Sequence, residues 1–148
     1  MPEITVMAAG AEAGGHLVIT VAGEQVKLEG RGKGLSLIVI DHLTKEIEYS
    51  KTFDTSTSAD EERQLFGQLK KVAHDKIVVM ATNHDGAKLL KSDTKDLIGT
   101  FGSKDITNLR QNEPWAFVGG LSTLVTKKEM KRPKGANNFA FVRVDRGG

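Results

Sequence analysis

Residues 35–40 (LSLIVI) form a continuous apolar run, entered through Glu29-Gly30-Arg31-Gly32-Lys33-Gly34 with glycine at every second position. Such a run suits a β-strand buried on both faces, and that requires packed layers above and below it. Residues 76–82 (KIVVMAT) read as a second strand of the same kind. The glycine string invites comparison with nucleotide-binding loops. In those loops, however, glycines follow a strand and open a helix, whose first amides hold the phosphate. Here they open a strand, so phosphate geometry is missing, and tight turning at positive φ is the role expected of them.

Around these two runs the pattern predicts strands at 4–8, 16–21, 25–28 and 46–52, with a flexible glycine-rich connection over 10–15. Ser58-Ala59-Asp60-Glu61 has capping-box spacing. It predicts a helix in which Ser58 accepts from the Glu61 amide while the Glu61 side chain reaches back. Leu65, Phe66, Leu69, Val72 and Ala73 recur on one face of that helix. A second helix is expected from Ser92, ended by Gly102. Closing strands are expected at 115–118 and 139–144, separated by an irregular basic stretch with Lys127, Lys128, Lys131, Arg132 and Lys134. The order predicts an α/β fold, with two β-sheets packed as a sandwich and helices flanking it. A single domain over 1–148 is expected, with N-terminal strands over 1–30 and a basic C-terminal segment over 120–148. Arg146-Gly147-Gly148 reads as a frayed terminus.

Composition narrows the function classes. With no cysteine among 148 residues, disulfides, thiol catalysis and cysteine-ligated zinc are excluded. A net charge of +2 gives no reason to expect nucleic acid or an anionic membrane as obligatory partner. No stretch reaches the roughly 18 apolar residues of a membrane span. The MPEITV start lacks the pattern of an export signal. His16, His42, His74 and His84 are scattered singly, without the i,i+4 spacing that sets two metal ligands on one helix face, so no metal is expected. No nucleophile elbow is present, and neither catalytic residues nor a cofactor are expected. The basic 127–134 stretch lacks the interleaved aromatics of a single-strand binder and reads as a solvated loop, with anion binding as its alternative. His84 stands apart from the other histidines because it ends a buried strand in Asn83-His84-Asp85-Gly86, where ligand contacts concentrate. Trp115, the only tryptophan, starts a strand after a loop. It reads as a core anchor, or else as the floor of a site.

One constellation is more specific than any of these pieces. Arg31-Gly32-Lys33-Gly34-Leu35-Ser36-Leu37-Ile38-Val39-Ile40-Asp41 is followed by Thr44-x-Glu46, Phe53-Asp54-Thr55, Ile77-Val78-Val79 and Asp85-Gly86. Leu97-x(4)-Gly102-Ser103, Ile106 and Trp115-Ala116-Phe117-Val118-Gly119 complete it. In order and spacing, residues 34–119 resemble the interleukin-like (FAM3/ILEI, or GG) domain family. They are nearest in pattern to the stem domain of protein O-mannose N-acetylglucosaminyltransferase.

The resemblance implies two sheets flanked by helices and a binding role in place of catalysis. It favours an extracellular or virion setting. In the stem domain an acidic residue ahead of the Asp/Glu-Gly pair and an arginine ahead of the tryptophan contact sugar. The matching positions here hold His84 and Asn112, which keep hydrogen-bonding capacity without the charges. The expected function is a lectin-like module for a GlcNAc- or mannose-containing glycan, with His84, Asp85, Asn112, Glu113 and Trp115 as ligand-binding residues. Homo-oligomerisation would add avidity. The alternative is a structural or protein-interaction module, such as a phage fibre connector or a signalling ligand.

Overall fold

A computed structural model describes residues 1–30 and 32–145. Arg31 of the glycine string and the Arg146-Gly147-Gly148 tail lie outside the described residues. The strands are β1 (Ile4–Ala9), β2 (Leu17–Val21), β3 (Glu24–Gln25), β4 (Glu29–Gly30), β5 (Gly34–Asp41) and β6 (Ile47–Phe53), followed by helix α1 (Ala59–Leu69) and β7 (Lys76–Asn83). Helix α2 (Ser92–Thr100), β8 (Trp115–Gly119), β9 (Lys128–Lys131) and β10 (Phe139–Val144) complete the order. One sheet has four strands in the order β10-β1-β2-β3, and the other has six in the order β4-β6-β5-β7-β8-β9. The fold is thus mixed α/β, with two sheets and two helices, as the pattern of the chain predicts.

Two cores explain the apolar runs. Because side chains alternate across a strand, Ile38 and Ile40 of β5 enter the core between the sheets, with Ile77, Val79, Ile4, Val6 and Val142. Leu35, Leu37 and Val39 point the other way, into a core beneath the helices with Phe53, Leu65, Ile98 and Phe101. Ser36, the one polar residue of the run, is fully buried, and its hydroxyl meets that of Thr52 at 2.7 Å.

The expected elements differ in instructive ways. Ser58 caps α1 by accepting from the Glu61 amide at 3.1 Å, but the Glu61 carboxylate accepts from the Asp54 amide (3.0 Å), outside the box. The helix stops at Leu69, leaving Val72 and Ala73 of the stripe in the turn that follows. The 10–15 connection is a 3-10 turn (Ala11–Ala13), closed by Gly15 N–H donating to the Gly10 carbonyl at 3.0 Å. The basic stretch contains β9, which pairs antiparallel with β8. Its charged sequence conceals it, because the face it turns to the protein is anchored by a carboxylate. Glu129 accepts from Trp115 Nε1 (2.7 Å), from the Lys104 and Asp105 amides (2.9 and 3.2 Å) and from the Ser103 hydroxyl.

Asp54 is fully buried ahead of α1. Burial alone would raise its pKa, yet hydrogen bonds from Thr57 and Ser56 hold it at about 2, below its ordinary 3.8. A depressed carboxylate stabilises the fold fully above its unfolded pKa and loses that contribution as pH falls through its folded one. Stability is therefore expected to decline between pH 3.8 and about 2. Asp54→Asn should flatten that part of the curve, which urea titrations across the window would measure. An unchanged slope in the variant would remove Asp54 from the acid response.

Candidate functional site

The end of β7 meets the β1–β2 turn and the glycine string, and a buried amide joins them. Asn83, 2% exposed, accepts from the Gly34 N–H at 2.9 Å and donates to the carbonyls of Gly15 (3.0 Å) and Gly32 (2.9 Å). One side chain thus fixes the glycine string and the 10–15 turn to the last residue of a central strand. The string itself needs glycine for φ values of +103° at Gly30, +77° at Gly32 and +123° at Gly34.

His84 follows with φ +50°, its amide donating to the Ala9 carbonyl at 3.1 Å. Its ring lies over Gly15 so closely that an added Cβ there would sit 2.2 Å from Cε1. Asp85 accepts from the Asn112 amide at 3.0 Å. Asn112 is also left-handed, at φ +64°, and its carbonyl would be 2.2 Å from any Cβ at Gly10. Two non-glycine residues at positive φ in one cluster mark a conformation that the surroundings impose.

These contacts bring His84, Asp85 and Asn112 together around the 10–15 turn. Glu113 braces the adjoining loop. Its carboxylate accepts from the Arg110 amide at 2.7 Å and lies 3.4 Å from Lys131 Nζ, while its carbonyl accepts from the Thr82 hydroxyl at 3.3 Å. Trp115 is no part of a binding surface. It is 0% exposed, stacked on Phe117 at 5.7 Å, with its indole N–H committed to Glu129. The expectation of Trp115 as a sugar-facing floor is corrected accordingly: pairing with β9 and Glu129 turns the indole inward.

Among the described residues, no hydrogen bond engages the His84 ring nitrogens or the Asn112 side-chain amide. Both groups are partly exposed and able to donate and accept. Thr107, Asn108, Leu109, Arg110, Glu113 and Lys131 line an open cleft of about 490 Å³, to which Asn112 is next in sequence without lining it. Sequence reasoning passes over Arg110, which sits in a loop without periodicity, and reads Lys131 only as part of a solvated basic run. No cluster of three or more potential metal ligands occurs among the described residues.

Comparison with known proteins places this geometry in context. A family model described as interleukin-like EMT inducer matches residues 33–121. The chain is 32% identical over 97 residues to a Danio rerio protein named cell surface hyaluronidase, covering 65% of this chain and 7% of that protein. It is 32% identical over 89 residues to Danio rerio protein FAM3C, covering 60% of this chain and 38% of the relative. With the Mus musculus cell migration-inducing and hyaluronan-binding protein it shares 29% over 86 residues, 58% of this chain and 6% of the relative. The chain therefore spans well under half the length of each of these relatives.

Proposed function

This chain belongs to the interleukin-like EMT inducer family, and we propose that it is a non-catalytic module binding carbohydrate at the His84–Asp85–Asn112 cluster. The observation that carries the reading is the pair of unengaged polar side chains, His84 and Asn112, held at positive φ in one cluster. Sugar hydroxyls need groups that both donate and accept at fixed positions, and a rigid backbone lowers the entropy lost on binding. Arg110, two residues before Asn112, supplies a cationic donor suited to a glycan carrying carboxylates as well as N-acetyl groups. The mouse relative's name, hyaluronan-binding, supports a ligand of that chemistry.

Titration calorimetry with GlcNAc, mannose and hyaluronan oligosaccharides tests the reading. Weak single-site binding is expected to at least one of them. His84→Gly and Asn112→Gly keep the left-handed backbone while deleting the side chain. Each is expected to weaken binding by about tenfold with little change in Tm. Absence of heat with all three ligands at millimolar concentration, or binding indifferent to both variants, would defeat the proposal.

A further inference from the structure

A second surface lies along the junction of the two sheets, on side chains the carbohydrate reading does not use. The inward side of β10 carries Ala140, Val142 and Val144, all buried, so Phe139, Phe141 and Arg143 face outward. Phe139 and Phe141 are 40% and 47% exposed. Phe141 pairs across the sheet with Met7, and Met7 with Val18, extending the apolar row. From the other sheet, β9 brings up Lys128 and Met130. The Phe141 amide donates to Met130 Sδ at 3.3 Å, and Lys128 Nζ donates to the Arg143 carbonyl at 2.9 Å. Arg132, whose amide still bonds the Pro114 carbonyl at 3.1 Å, continues the β9 alternation past Met130. The strip therefore has a phenylalanine–methionine centre with cations at both ends.

Its composition is that of a protein-recognition surface. Phenylalanine, methionine and arginine are enriched at interfaces, and methionine adapts its shape to the side chains it receives. Lys128 and Met130 occupy the outer edge of β10 with side chains, so an added strand is blocked and a partner must lie on the face. A second copy fits poorly, because the carboxylates at the strip, Glu3 and Asp145, are already taken up by Arg143 and offer nothing to the Lys128 and Arg132 of another copy. Arg143 is already held by Asp145 (2.8 Å) and Glu3 (3.5 Å), which leaves Lys128 and Arg132 as the cations facing a partner. We infer that this strip docks a protein segment with an apolar centre flanked by acidic residues. This inference is independent of the carbohydrate site.

The test is selection of a displayed random-peptide library against the whole chain, with the selected peptides then mapped by NMR. The expected consensus is apolar residues between acidic ones, perturbing Met7, Met130, Phe139 and Phe141. Phe139→Ser/Phe141→Ser should weaken such peptides at least tenfold. Lys128→Glu/Arg132→Glu should turn the selected consensus from acidic to basic, a switch that unfolding could not produce. All four positions are exposed, and an unchanged Tm would verify that the variants fold. No enrichment, a consensus without acidic residues, or peptides indifferent to both double variants would overturn the inference. So would perturbation of these residues by anionic vesicles or heparin oligosaccharides with no response to peptide. Because His84 and Asn112 lie outside the strip, His84→Gly should leave peptide binding intact, and failure of one site is distinguishable from failure of the other.

Discussion

Asn83→Ala is expected to destabilise the fold by about 3 to 5 kcal/mol, the largest effect of any single polar side chain here. The substitution deletes one acceptor and two donated bonds, stranding the buried Gly34 N–H and Gly15 carbonyl, while the Gly32 carbonyl, on an exposed residue, can turn to water. Each buried polar group left without a partner costs about 1 to 3 kcal/mol. Asn83→Asp separates size from chemistry, because a carboxylate of the same shape can accept from Gly34 but cannot donate to two carbonyls. Both variants should lower the urea midpoint substantially and alter His84 and Gly15 signals in NMR spectra. A loss below about 1 kcal/mol in both would mean that water replaces the amide and that the junction is less dependent on Asn83 than its geometry implies.

The second large effect concerns one glycine out of three. At Gly34, with φ +123°, a Cβ would stand 1.9 Å from the Phe53 carbonyl oxygen and 2.8 Å from the Thr55 amide nitrogen. Both obstacles are backbone, at the last residue of β6 and just beyond it, so relief requires β5 and β6 to part at the start of their pairing. Gly34→Ala is expected to cost about 4 kcal/mol or more, or to prevent folding. Gly32 has φ +77° and nothing within 4 Å of the same added atom. Gly32→Ala should therefore cost only the left-handed strain of about 1 to 2 kcal/mol. Denaturation of the pair side by side checks the ranking. Equal costs would show that backbone conformation, and not the approach of β6, governs the string.

Much of this fold is legible in the amino-acid sequence. The 35–40 run announces a doubly covered strand because apolar residues on both sides of the pleat have no other economical burial. Its glycine entry announces a turn because of what it leads into. Asn83 was not legible. Its three partners are drawn from segments up to 68 positions away in sequence, and nothing local distinguishes a buried clamp from a polar loop residue. The same blindness applies to Trp115. Its position after a loop fits both an anchor and a platform, and the choice depends on Glu129, fourteen residues later on a strand whose lysines conceal it. At the candidate site, residue types were legible at His84 and Asn112, but their left-handed backbones follow from contacts with Gly15 and Gly10 made across the fold.

One pairing reaches beyond this chain's own folding. β1 and β10 lie side by side in antiparallel register, with Ile4 opposite Val144. The path into the described fold and the path out of it are thus separated by about the width of one strand spacing, roughly 5 Å. A unit built this way can be spliced into the loop of a host protein without forcing the host's two attachment points apart. Related segments do occur as a small fraction of much longer proteins, 7% in one case and 6% in another. In this chain, adjacent strand ends give the fold a mechanical reason to be portable.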